Sequence, residues 1–412
     1  MSVAASISQE LHLWKLRMWL LNVITLLFSI GFNGISTVLS QYAVLQFDAT
    51  PIQVGVLWSS FFIISIFTRP IAGAASDSGY RFRLLIVGNL MFTISSITYL
   101  FATDFGYLLI ARLFQGLSQG IFMTSAFSLV AYEASTHMEH FEESIAWRSA
   151  MLGLGTVIGP AIFGYVVSFY GFMQAFSLII FIGIITIFGV LATIKATKVR
   201  EDLNILRYGN EENGEPKVRM TNLFSGFGEL LRVSNFRKAI GSVFLYSLGY
   251  IAITSFLPAY YAIKFGNESG IIIGNSLSLI GISSLFPRIL SGKLSKTWKC
   301  QNISRFGLLI LCVSLLLLGL YPLPPYVYAI SVGIGIGVGF VIPSLQIMAL
   351  LDIRNSKKGM ATGMYIIGWD ASNLIAPLIF GTIGNAFGYE SVLQIAFVPV
   401  LAAFLFLSVA KR

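Results

Sequence analysis

The sequence predicts an all-α polytopic membrane protein in which twelve transmembrane helices form two pseudo-symmetric six-helix bundles. The first supporting observation is composition: 56% of the 412 residues are apolar and 11% are charged, whereas a typical soluble domain has roughly 25% charged residues. A helical span needs ~20 apolar residues, so about 231 apolar residues supply eleven or twelve spans. Long uncharged runs and an internal repeat are the other two observations. Together they exclude a disordered chain and an ordinary soluble globule.

Charged residues delimit the helices, because a backbone in lipid must pair its polar groups within its own segment. The runs between them predict helices at 18–47, 52–76, 83–103, 105–133, 143–169, 171–194, 239–264, 269–293, 304–321, 325–351, 358–385 and 387–409. The first run is longer than the apolar core of a signal peptide, which predicts that it is retained as a span.

The distribution of basic residues predicts the orientation. If the N-terminus is inside, the cytoplasmic side receives Lys15, Arg17, Arg81, Arg83, Lys198, Arg200, Lys296, Lys299, Arg305, Arg354, Lys357, Lys358, Lys411 and Arg412. The outer loops hold Asp48, Asp104, Glu268 and Glu390, with Lys264 as their one basic residue. The positive-inside rule then predicts a multi-pass protein of the cell (plasma) membrane with both termini cytoplasmic. These loops account for the net charge of +9, so the lipid bilayer is an expected partner and nucleic acid is not.

A charged stretch divides the chain. Residues 195–238 contain 9 basic and 6 acidic residues, which predicts a cytoplasmic linker. It separates an N-terminal six-helix half, residues 1–194, from a C-terminal six-helix half, residues 239–412.

The two halves resemble each other in sequence. In the first repeated motif, Phe67-Thr-Arg69-Pro-Ile-Ala-Gly73 matches Phe286-Pro-Arg288-Ile-Leu-Ser-Gly292. In the second repeated motif, Gly159-Pro160-Ala-Ile-Phe163-Gly164 matches Ala376-Pro377-Leu-Ile-Phe380-Gly381. The motifs follow in the same order on equivalent spans. A six-helix unit duplicated in parallel orientation is a transporter architecture, with a site between the halves near the membrane midplane.

The loop after the second helix carries a family resemblance. It reads Gly73-Ala-Ala-Ser-Asp77-Ser-Gly79-Tyr-Arg81-Phe-Arg83, and it resembles a loop of the major facilitator superfamily, in particular of its twelve-spanning drug/proton antiporter branch. The spacing from Asp to the following Gly is one residue shorter here. The resemblance implies a gating motif, in which Gly73 lets two helices approach closely and Asp77 pairs with an arginine to lock one conformation.

Two further motifs carry the same resemblance. In the fourth helix, Arg112-Leu-Phe-Gln115-Gly116 is similar to the family's Arg-x-x-Gln-Gly motif, which implies that Arg112 takes part in proton coupling. An arginine at this depth is costly and usually functional or paired; the alternative is that it snorkels to the outer surface.

In the fifth helix, Gly155-Thr-Val-Ile-Gly159-Pro160-Ala-Ile-Phe163-Gly164 resembles the antiporter motif, with Phe163 where a second glycine is usual. The resemblance implies that Gly159, Pro160 and Gly164 belong to the gate and that transport is export. The alternative is simple helix packing.

Asp370 is the acidic residue that lies well inside a predicted span. Burial disfavours the ionised carboxylate, so that Asp370 is able to take up and release a proton during a cycle. It is predicted to carry protons or to bind a cationic substrate, and the alternative is an aspartate held neutral by a neighbouring hydrogen bond. Glu133 is a second candidate for proton coupling and a candidate partner of Arg81 or Arg83, but its place at a helix end predicts solvation.

Polar and aromatic residues at helical spacing predict the faces that line a cavity. The predicted substrate-binding residues are Asn33, Gln115, Gln119, Tyr246, Tyr250, Gln346, Trp369 and Asn373. For each of them, helix–helix hydrogen bonding is the alternative. No metal site is predicted, because no further Cys or His completes the segment His137-Met-Glu139-His140.

These patterns predict a secondary active transporter that works by alternating access, with proton-coupled export of small amphipathic compounds or metabolites. Proton-coupled uptake of a small organic solute is the alternative, and a non-transporting membrane sensor or scaffold is a third possibility. No nucleotide-binding motif and no nucleophile–base pair is recognised, so we expect an ion gradient as the energy source, no cofactor and no enzymatic activity. The family resemblance implies a monomer.

Overall fold

The computed structural model describes residues 3–135, 141–208, 227–354 and 358–409. Within these ranges there is no strand, and twelve long helices are present: α1 (Val3–Phe47), α2 (Pro51–Ala75), α3 (Arg81–Leu100), α4 (Phe105–Ser135), α5 (Phe141–Tyr170), α6 (Phe172–Tyr208), α7 (Ser234–Phe265), α8 (Ser269–Leu294), α9 (Cys300–Leu320), α10 (Tyr326–Leu350), α11 (Lys358–Phe387) and α12 (Tyr389–Val409). α12 is interrupted between its segments Tyr389–Ile395 and Phe397–Val409, and a short helix, Phe227–Arg232, precedes α7. The predicted all-α class is confirmed.

Ten helical stretches in the described part of the chain are long and apolar enough to cross a membrane. One of them, Ser234–Leu294, contains both α7 and α8, which a 3-10 turn at Gly266–Glu268 joins. α4 is the remaining helix, and it packs against α2 and α3. The twelve predicted spans therefore all correspond to helices.

Two helices extend beyond their predicted ends. α1 begins at Val3 rather than at residue 18, and α6 ends at Tyr208 rather than at residue 194. Charged residues mark where an apolar span stops, but Lys, Arg and Glu are good helix formers and the helix continues past them. Both edges of the predicted linker are therefore helical, while residues 209–226 lie outside the described part of the chain; the division into halves at this linker stays a prediction.

Local sequence explains how α2 begins and how α5 turns into α6. The Thr50 hydroxyl accepts a hydrogen bond from the Gln53 N–H at 3.4 Å, and the Gln53 side chain accepts one from the Thr50 N–H at 2.8 Å. This reciprocal capping box is followed by Pro51 at the first helical position, where its missing N–H costs nothing. Gly171, between α5 and α6, has φ of 94°, which permits the tight turn there.

Successive helices run between two ends of the bundle. We call one the basic end; it holds the starts of α1, α3 and α9 and the side chains of Lys15, Arg81, Arg83 and Lys299. We call the other the acidic end; it holds Asp48, Asp104, Glu268 and Glu390.

The first six helices and the last six meet mainly along two interfaces, α2 with α11 and α5 with α8, that follow the sequence repeat. Ser59 Oγ in α2 donates to the Leu374 carbonyl in α11 at 2.7 Å, and Ser278 Oγ in α8 donates to the Val157 carbonyl in α5 at 2.7 Å. The two serines are as many residues apart as the two copies of the first repeated motif. The two acceptor residues, Leu374 and Val157, are as many residues apart as the two copies of the second. The two interfaces are therefore the same structure built twice.

Glycines repeat this relation nearer the acidic end. A Cβ atom on Gly55 would clash with the carbonyl oxygen of Pro377, and a Cβ atom on Gly274 would clash with that of Pro160. Gly55 and Gly274 are again as many residues apart as the two copies of the first repeated motif. Each glycine allows two backbones to touch, as small residues do in membrane helix packing.

Side-chain hydrogen bonds also join the two halves at the acidic end. Gln41 Nε2 donates to Ser269 Oγ at 2.7 Å, and Ser40 Oγ donates to the Ser255 carbonyl at 2.7 Å. Tyr389 donates its hydroxyl to the Ala49 carbonyl at 3.0 Å. The acidic end is thus closed in this conformation.

Candidate functional site

A cavity of about 260 Å³ lies between the two halves, and we call it the central cavity. α1, α2, α4 and α5 line it from one half, and α7, α8, α10 and α11 line it from the other. Pockets for drug-sized ligands measure about 300–1,000 Å³, so this volume suits a small molecule. Aromatic side chains form much of its wall: Phe32, Trp58, Phe61, Phe62, Tyr250 and Trp369.

Four of the eight predicted substrate-binding residues line the central cavity, namely Asn33, Tyr250, Trp369 and Asn373. The ring of Trp369 lies 6.4 Å from that of Tyr250, so α7 and α11 present one continuous aromatic surface. Asn33 Nδ2 donates to the Ser29 carbonyl one turn earlier at 2.7 Å, which fixes the orientation of its amide. These four residues are placed to touch a ligand.

The other four do not line the cavity, which corrects the prediction from helical spacing. Gln346 is exposed, and Gln119 is half-buried outside the cavity wall. Tyr246 is fully buried behind Trp369, with the two rings 5.6 Å apart. Gln115 is buried and supports Arg112. Spacing tells which residues share a helix face, but it does not tell which neighbour that face meets.

Arg112 lies in the cavity wall and is only 1% exposed. Its NH1 donates to Gln115 Oε1 at 2.7 Å, and its Nε donates to the Leu57 carbonyl at 3.3 Å. The guanidinium carbon lies 4.6 Å from the ring centre of Trp58 and 5.2 Å from that of Phe61, in cation–π geometry. The side chain does not snorkel to the outer surface, and its NH2 has no hydrogen-bond partner in the described part of the chain.

Asp370 forms an ion pair across the two halves. Its Oδ2 accepts from NH1 of Arg69 in α2, while the aspartate itself belongs to α11. The carboxylate is buried, and the Arg69 side chain is 27% exposed. The neighbours Trp369 and Asn373 line the central cavity, so this pair stands directly beside it. In this conformation Asp370 is held by an arginine of the other half, and its predicted role in carrying protons stays a prediction.

Glu133 is buried at 2% exposure, which corrects the prediction that it is solvated. It forms an ion pair with Arg17, itself predicted as a loop residue, and Trp14 Nε1 donates to the Glu133 carbonyl at 2.9 Å. The physical reason is the extension of α1 toward the basic end, which places its first turns over the end of α4. This ion pair lies within one half.

The predicted gating motif forms a turn at the basic end. A π-helical turn, Ser76–Tyr80, connects α2 to α3, and Gly79 has φ of 87° there. Arg81 Nε donates to Ser128 Oγ of α4 at 3.2 Å, which docks the turn on that helix. The guanidinium of Arg83 lies 5.4 Å from the Tyr80 ring. The side chain of Asp77 lies outside the described part of the molecule.

Gly73 does not mediate the expected close approach. A Cβ atom there would lie 3.8 Å from Thr124 Cγ2, an ordinary contact, so helix packing does not require a glycine at this position. The glycines of α5 do mediate such contacts: a Cβ atom on Gly159 would clash with the Ile30 carbonyl, and one on Gly164 with the Gly270 carbonyl. Pro160 lines the central cavity. The antiporter-like motif therefore lies between α1 and α8.

Sequence reasoning missed four buried or cavity-facing arginines: Arg17, Arg69, Arg148 and Arg288. Arg69 and Arg288 are equivalent positions of the repeat, and both lie inside predicted spans rather than in loops. That position was the available signal, because an arginine within a span is expensive unless it is paired or functional.

No group of three His, Cys, Asp or Glu side chains is arranged to hold a metal ion within residues 3–135, 141–208, 227–354 and 358–409. The segment from His137 to His140 lies outside these ranges.

Comparison with known proteins gives a family and a fold. Residues 21–372 match the sequence profile of the Major Facilitator Superfamily. An uncharacterized MFS-type transporter of Methanocaldococcus jannaschii is 24% identical over 376 residues, which cover 90% of this chain and 91% of that relative.

Two further relatives match over shorter segments. The vesicular acetylcholine transporter of Tetronarce californica is 29% identical over 181 residues, covering 42% of this chain and 34% of that protein. The quinolone resistance protein NorA of Staphylococcus aureus is 24% identical over 136 residues, covering 32% of this chain and 34% of NorA. The matches thus span about a third of each of these relatives.

Solved structures share the fold. The nucleoside transporter NupG superposes with a TM-score of 0.72 at 14% identity, covering 96% of this chain and 99% of that one. A bacterial homolog of the human lysosomal transporter Spinster, in an inward-facing and unoccupied conformation, superposes with a TM-score of 0.71 at 15% identity, covering 97% and 95% of the two chains. Identities this low establish the architecture and leave the substrate open.

Proposed function

The chain belongs to the major facilitator superfamily, and from this premise we propose that it is a secondary active transporter that exports small amphipathic compounds or metabolites in exchange for protons. Alternating access of the two six-helix halves moves the substrate through the central cavity. The observation that carries the proposal is the ion pair between Arg69 and Asp370, which joins the two halves beside that cavity.

This ion pair gives a physical route to proton coupling. Removing one partner of a buried ion pair typically costs about 3–5 kcal/mol, because the other charge is left uncompensated. A proton that neutralises Asp370 therefore weakens the link between α2 and α11. Proton binding then shifts the balance between two arrangements of the halves, which is what a coupled transporter requires.

The closed acidic end and the ion pair together suggest how access alternates. In this conformation the halves touch at the acidic end through backbone contacts at glycines and through the hydrogen bonds of Ser40 and Gln41. Opening that end requires these contacts to separate while the basic end closes. Gly164 of α5 stands at one of the contacts between the halves that must separate, which supports the gating role that the antiporter-like motif implies.

The proposal includes an orientation and a location. The concentration of Lys and Arg at the basic end supports a cytoplasmic basic end in the plasma membrane, with both termini inside. Export then carries the substrate from the basic to the acidic end. The similarity to a quinolone resistance protein favours export, and the family fold favours a monomer.

The test is the accumulation of fluorescent amphiphiles in efflux-deficient bacteria that express the chain. A panel of cationic, neutral and anionic dyes is needed, each measured with and without a protonophore. Expression should lower the accumulation of at least one dye, and the protonophore should restore it. Asp370→Asn removes the titrating group while keeping its shape, and it should abolish the effect.

Asp352→Asn is the matched control. Asp352 is an exposed carboxylate of the same half that accepts a hydrogen bond from Asn235 Nδ2 at 2.7 Å, far from the cavity wall. This variant should export as the wild type does. Export that persists in Asp370→Asn with its full sensitivity to protonophore would refute the assigned role of Asp370.

Proton-coupled uptake is the second candidate, and the charges of the central cavity favour it. Arg112 and Arg288 line the cavity, whereas no Asp or Glu of the described chain does. A cationic cavity suits an anion, and an inside-negative potential opposes anion uptake by about 2.3 kcal/mol per charge per 100 mV. Protons moving with the anion would offset this cost. Dye accumulation that rises on expression, and falls with the protonophore, would select uptake over export.

A further inference from the structure

Arg288 is a cation of the central cavity without an ionic partner among the described residues. Arg17 pairs with Glu133 and Arg69 pairs with Asp370, and neither ion pair includes Arg288. Arg288 lines the cavity from α8, and its Nε is buried without a hydrogen-bond partner. The titratable groups near it are the hydroxyls of Tyr246 and Tyr250, which are neutral near pH 7 and give no counter-charge.

The repeat shows what is missing opposite Arg288. Arg69 and Arg288 occupy equivalent positions on α2 and α8, ten residues after the equivalent serines Ser59 and Ser278. On α11, Asp370 comes four residues before Leu374, which accepts the hydrogen bond from Ser59.

On α5, the residue equivalent to Asp370 is a glycine. Four residues before Val157, the acceptor of the Ser278 hydrogen bond, the chain has Gly153. A Cβ atom on Gly153 would lie 3.4 Å from Leu285 Cδ2, so this position faces α8 one turn from Arg288. One interface therefore has an arginine and a carboxylate, and the equivalent interface has the arginine alone.

The cavity as a whole carries an excess of positive charge. Arg112 and Arg288 line its two sides, and both guanidinium groups keep a nitrogen without a hydrogen-bond partner in the described part of the chain. Asp370, the nearby carboxylate, is already paired with Arg69. Arg112 is buried and Arg288 is partly buried, and a guanidinium removed from water without a counter-charge is unfavourable, so a ligand that supplies negative charge is favoured in this cavity.

We infer that the central cavity binds a small amphipathic carboxylate, whose anionic group pairs with Arg288 in the place that Asp370 takes beside Arg69. The planar guanidinium matches a carboxylate with two parallel hydrogen bonds. The apolar body lies against the aromatic wall formed by Trp58, Phe61 and Trp369. The inference rests on the proposed function only in taking this cavity as the substrate site.

The test is ligand binding to the purified full-length protein, measured by isothermal titration. The probes are three molecules of one shape: 3-phenylpropionate, its neutral amide 3-phenylpropanamide, and the cation 3-phenylpropylamine. The carboxylate should bind roughly ten- to a hundredfold more tightly than the amide, as expected when a charged hydrogen bond is lost. The amine should bind more weakly still.

The sharpest variant adds the missing carboxylate. A Cβ atom at Gly153 meets only the flexible end of Leu285, so we expect Gly153→Asp to be tolerated and to pair with Arg288, and binding of 3-phenylpropionate should fall to the level of the amide. Gly153→Asn is the matched control, because it has the same shape without the charge, and it should keep most of the preference for the carboxylate.

A second set of variants removes the cation. Arg288→Met should abolish the preference for the carboxylate, and Arg288→Lys should keep part of it. Arg237→Met changes an exposed arginine on the same half and should bind as the wild type does. Thermal unfolding of each ligand-free variant establishes that the protein is folded.

The outcomes separate this inference from the proposed function. Equal binding of all three probes, or no binding of the carboxylate to folded wild type, would overturn the carboxylate assignment; so would tighter binding of 2-phenylethyl phosphate, titrated as a fourth probe. Preferential binding of the carboxylate in a protein that shows no protonophore-sensitive transport would support the inference and reject the proposed coupling. Protonophore-sensitive transport of cationic dyes without carboxylate binding would do the reverse.

Discussion

The α2–α11 and α5–α8 interfaces share a serine–carbonyl hydrogen bond and a glycine contact but differ in one charged group. Equivalent serines donate to equivalent carbonyl groups, and equivalent glycines let the backbones touch. An arginine follows ten residues after the serine in both, but Asp370 faces Arg69 whereas Gly153 stands at the position related to Asp370. The comparison teaches that the role of an arginine between two helices is decided by the residue opposite it. Paired with Asp370, Arg69 holds two halves together; without a carboxylate, Arg288 is left for a ligand.

The largest expected effect is the loss of stability when Arg69 is removed, and removal of Arg288 is the comparison. Arg69→Met leaves Asp370 buried without a counter-charge, which should lower the free energy of unfolding by about 3–5 kcal/mol at neutral pH. Arg288→Met leaves no carboxylate behind in the ligand-free protein, so its cost should stay below about 1 kcal/mol. Denaturant-induced unfolding of the two purified variants measures the difference.

A double variant provides the control for this contrast. Adding Asp370→Asn to Arg69→Met removes the stranded charge and should recover most of the lost stability, because the destabilisation comes from the unpaired carboxylate. A loss in Arg288→Met as large as that in Arg69→Met would mean that Arg288 already has an ionic partner, and the comparison of the two interfaces would fail.

A smaller effect is expected where the two interfaces are alike. Gly55→Ala and Gly274→Ala each insert a methyl group against a backbone carbonyl of the other half, and overpacking of this kind typically costs about 1–3 kcal/mol. Gly73→Ala and Gly292→Ala are matched controls at equivalent positions of the repeat, because a Cβ atom at Gly73 meets nothing closer than 3.8 Å and one at Gly292 meets nothing within 4 Å. The controls should unfold as the wild type does.

The same four glycine variants can also be compared by how easily a reagent reaches the central cavity from the acidic end. Because the clashes occur near the acidic end, the first two variants should also favour opening of that end. A cysteine at Ser36 in the cavity wall, placed in a background without Cys300 and Cys312, should then react faster with an impermeant maleimide added at the acidic end. Equal reactivity in all four glycine variants would contradict the assignment of the closed end.

The sequence is sufficient for the fold and for part of the site. Long uncharged runs predict the helices because lipid leaves the backbone no other way to pair its polar groups. Arg112 and Asp370 stand out because each interrupts an apolar run. Arg69 and Arg288 each follow the end of an uncharged run but lie inside predicted spans, which indicates a paired or functional arginine; the sequence of one span does not show which neighbouring helix each arginine meets.

Contacts between distant helices explain what the sequence could not predict. The position of Glu133 at the end of a predicted span indicates solvent, but its surroundings depend on where the first turns of α1 lie. The helix that carries Gln346 does line the cavity, but the face with Gln346 is exposed in this arrangement. The charge difference between the interfaces required both the repeat, which is in the sequence, and the serine–carbonyl pairs, which only the structure provides.

The smallest expected effect tests the equivalence on which the comparison depends. Ser59→Ala and Ser278→Ala each remove one hydrogen bond to a carbonyl of the other half, and such bonds between membrane helices contribute about 0.6 kcal/mol on average. The two losses should be equal, and they should add within about 0.3–0.5 kcal/mol in the double variant because the sites are separate. Unfolding of the three variants measures this. A loss in only one of them would mean that the two interfaces are not energetically equivalent, and Gly153 would then no longer be the counterpart of Asp370.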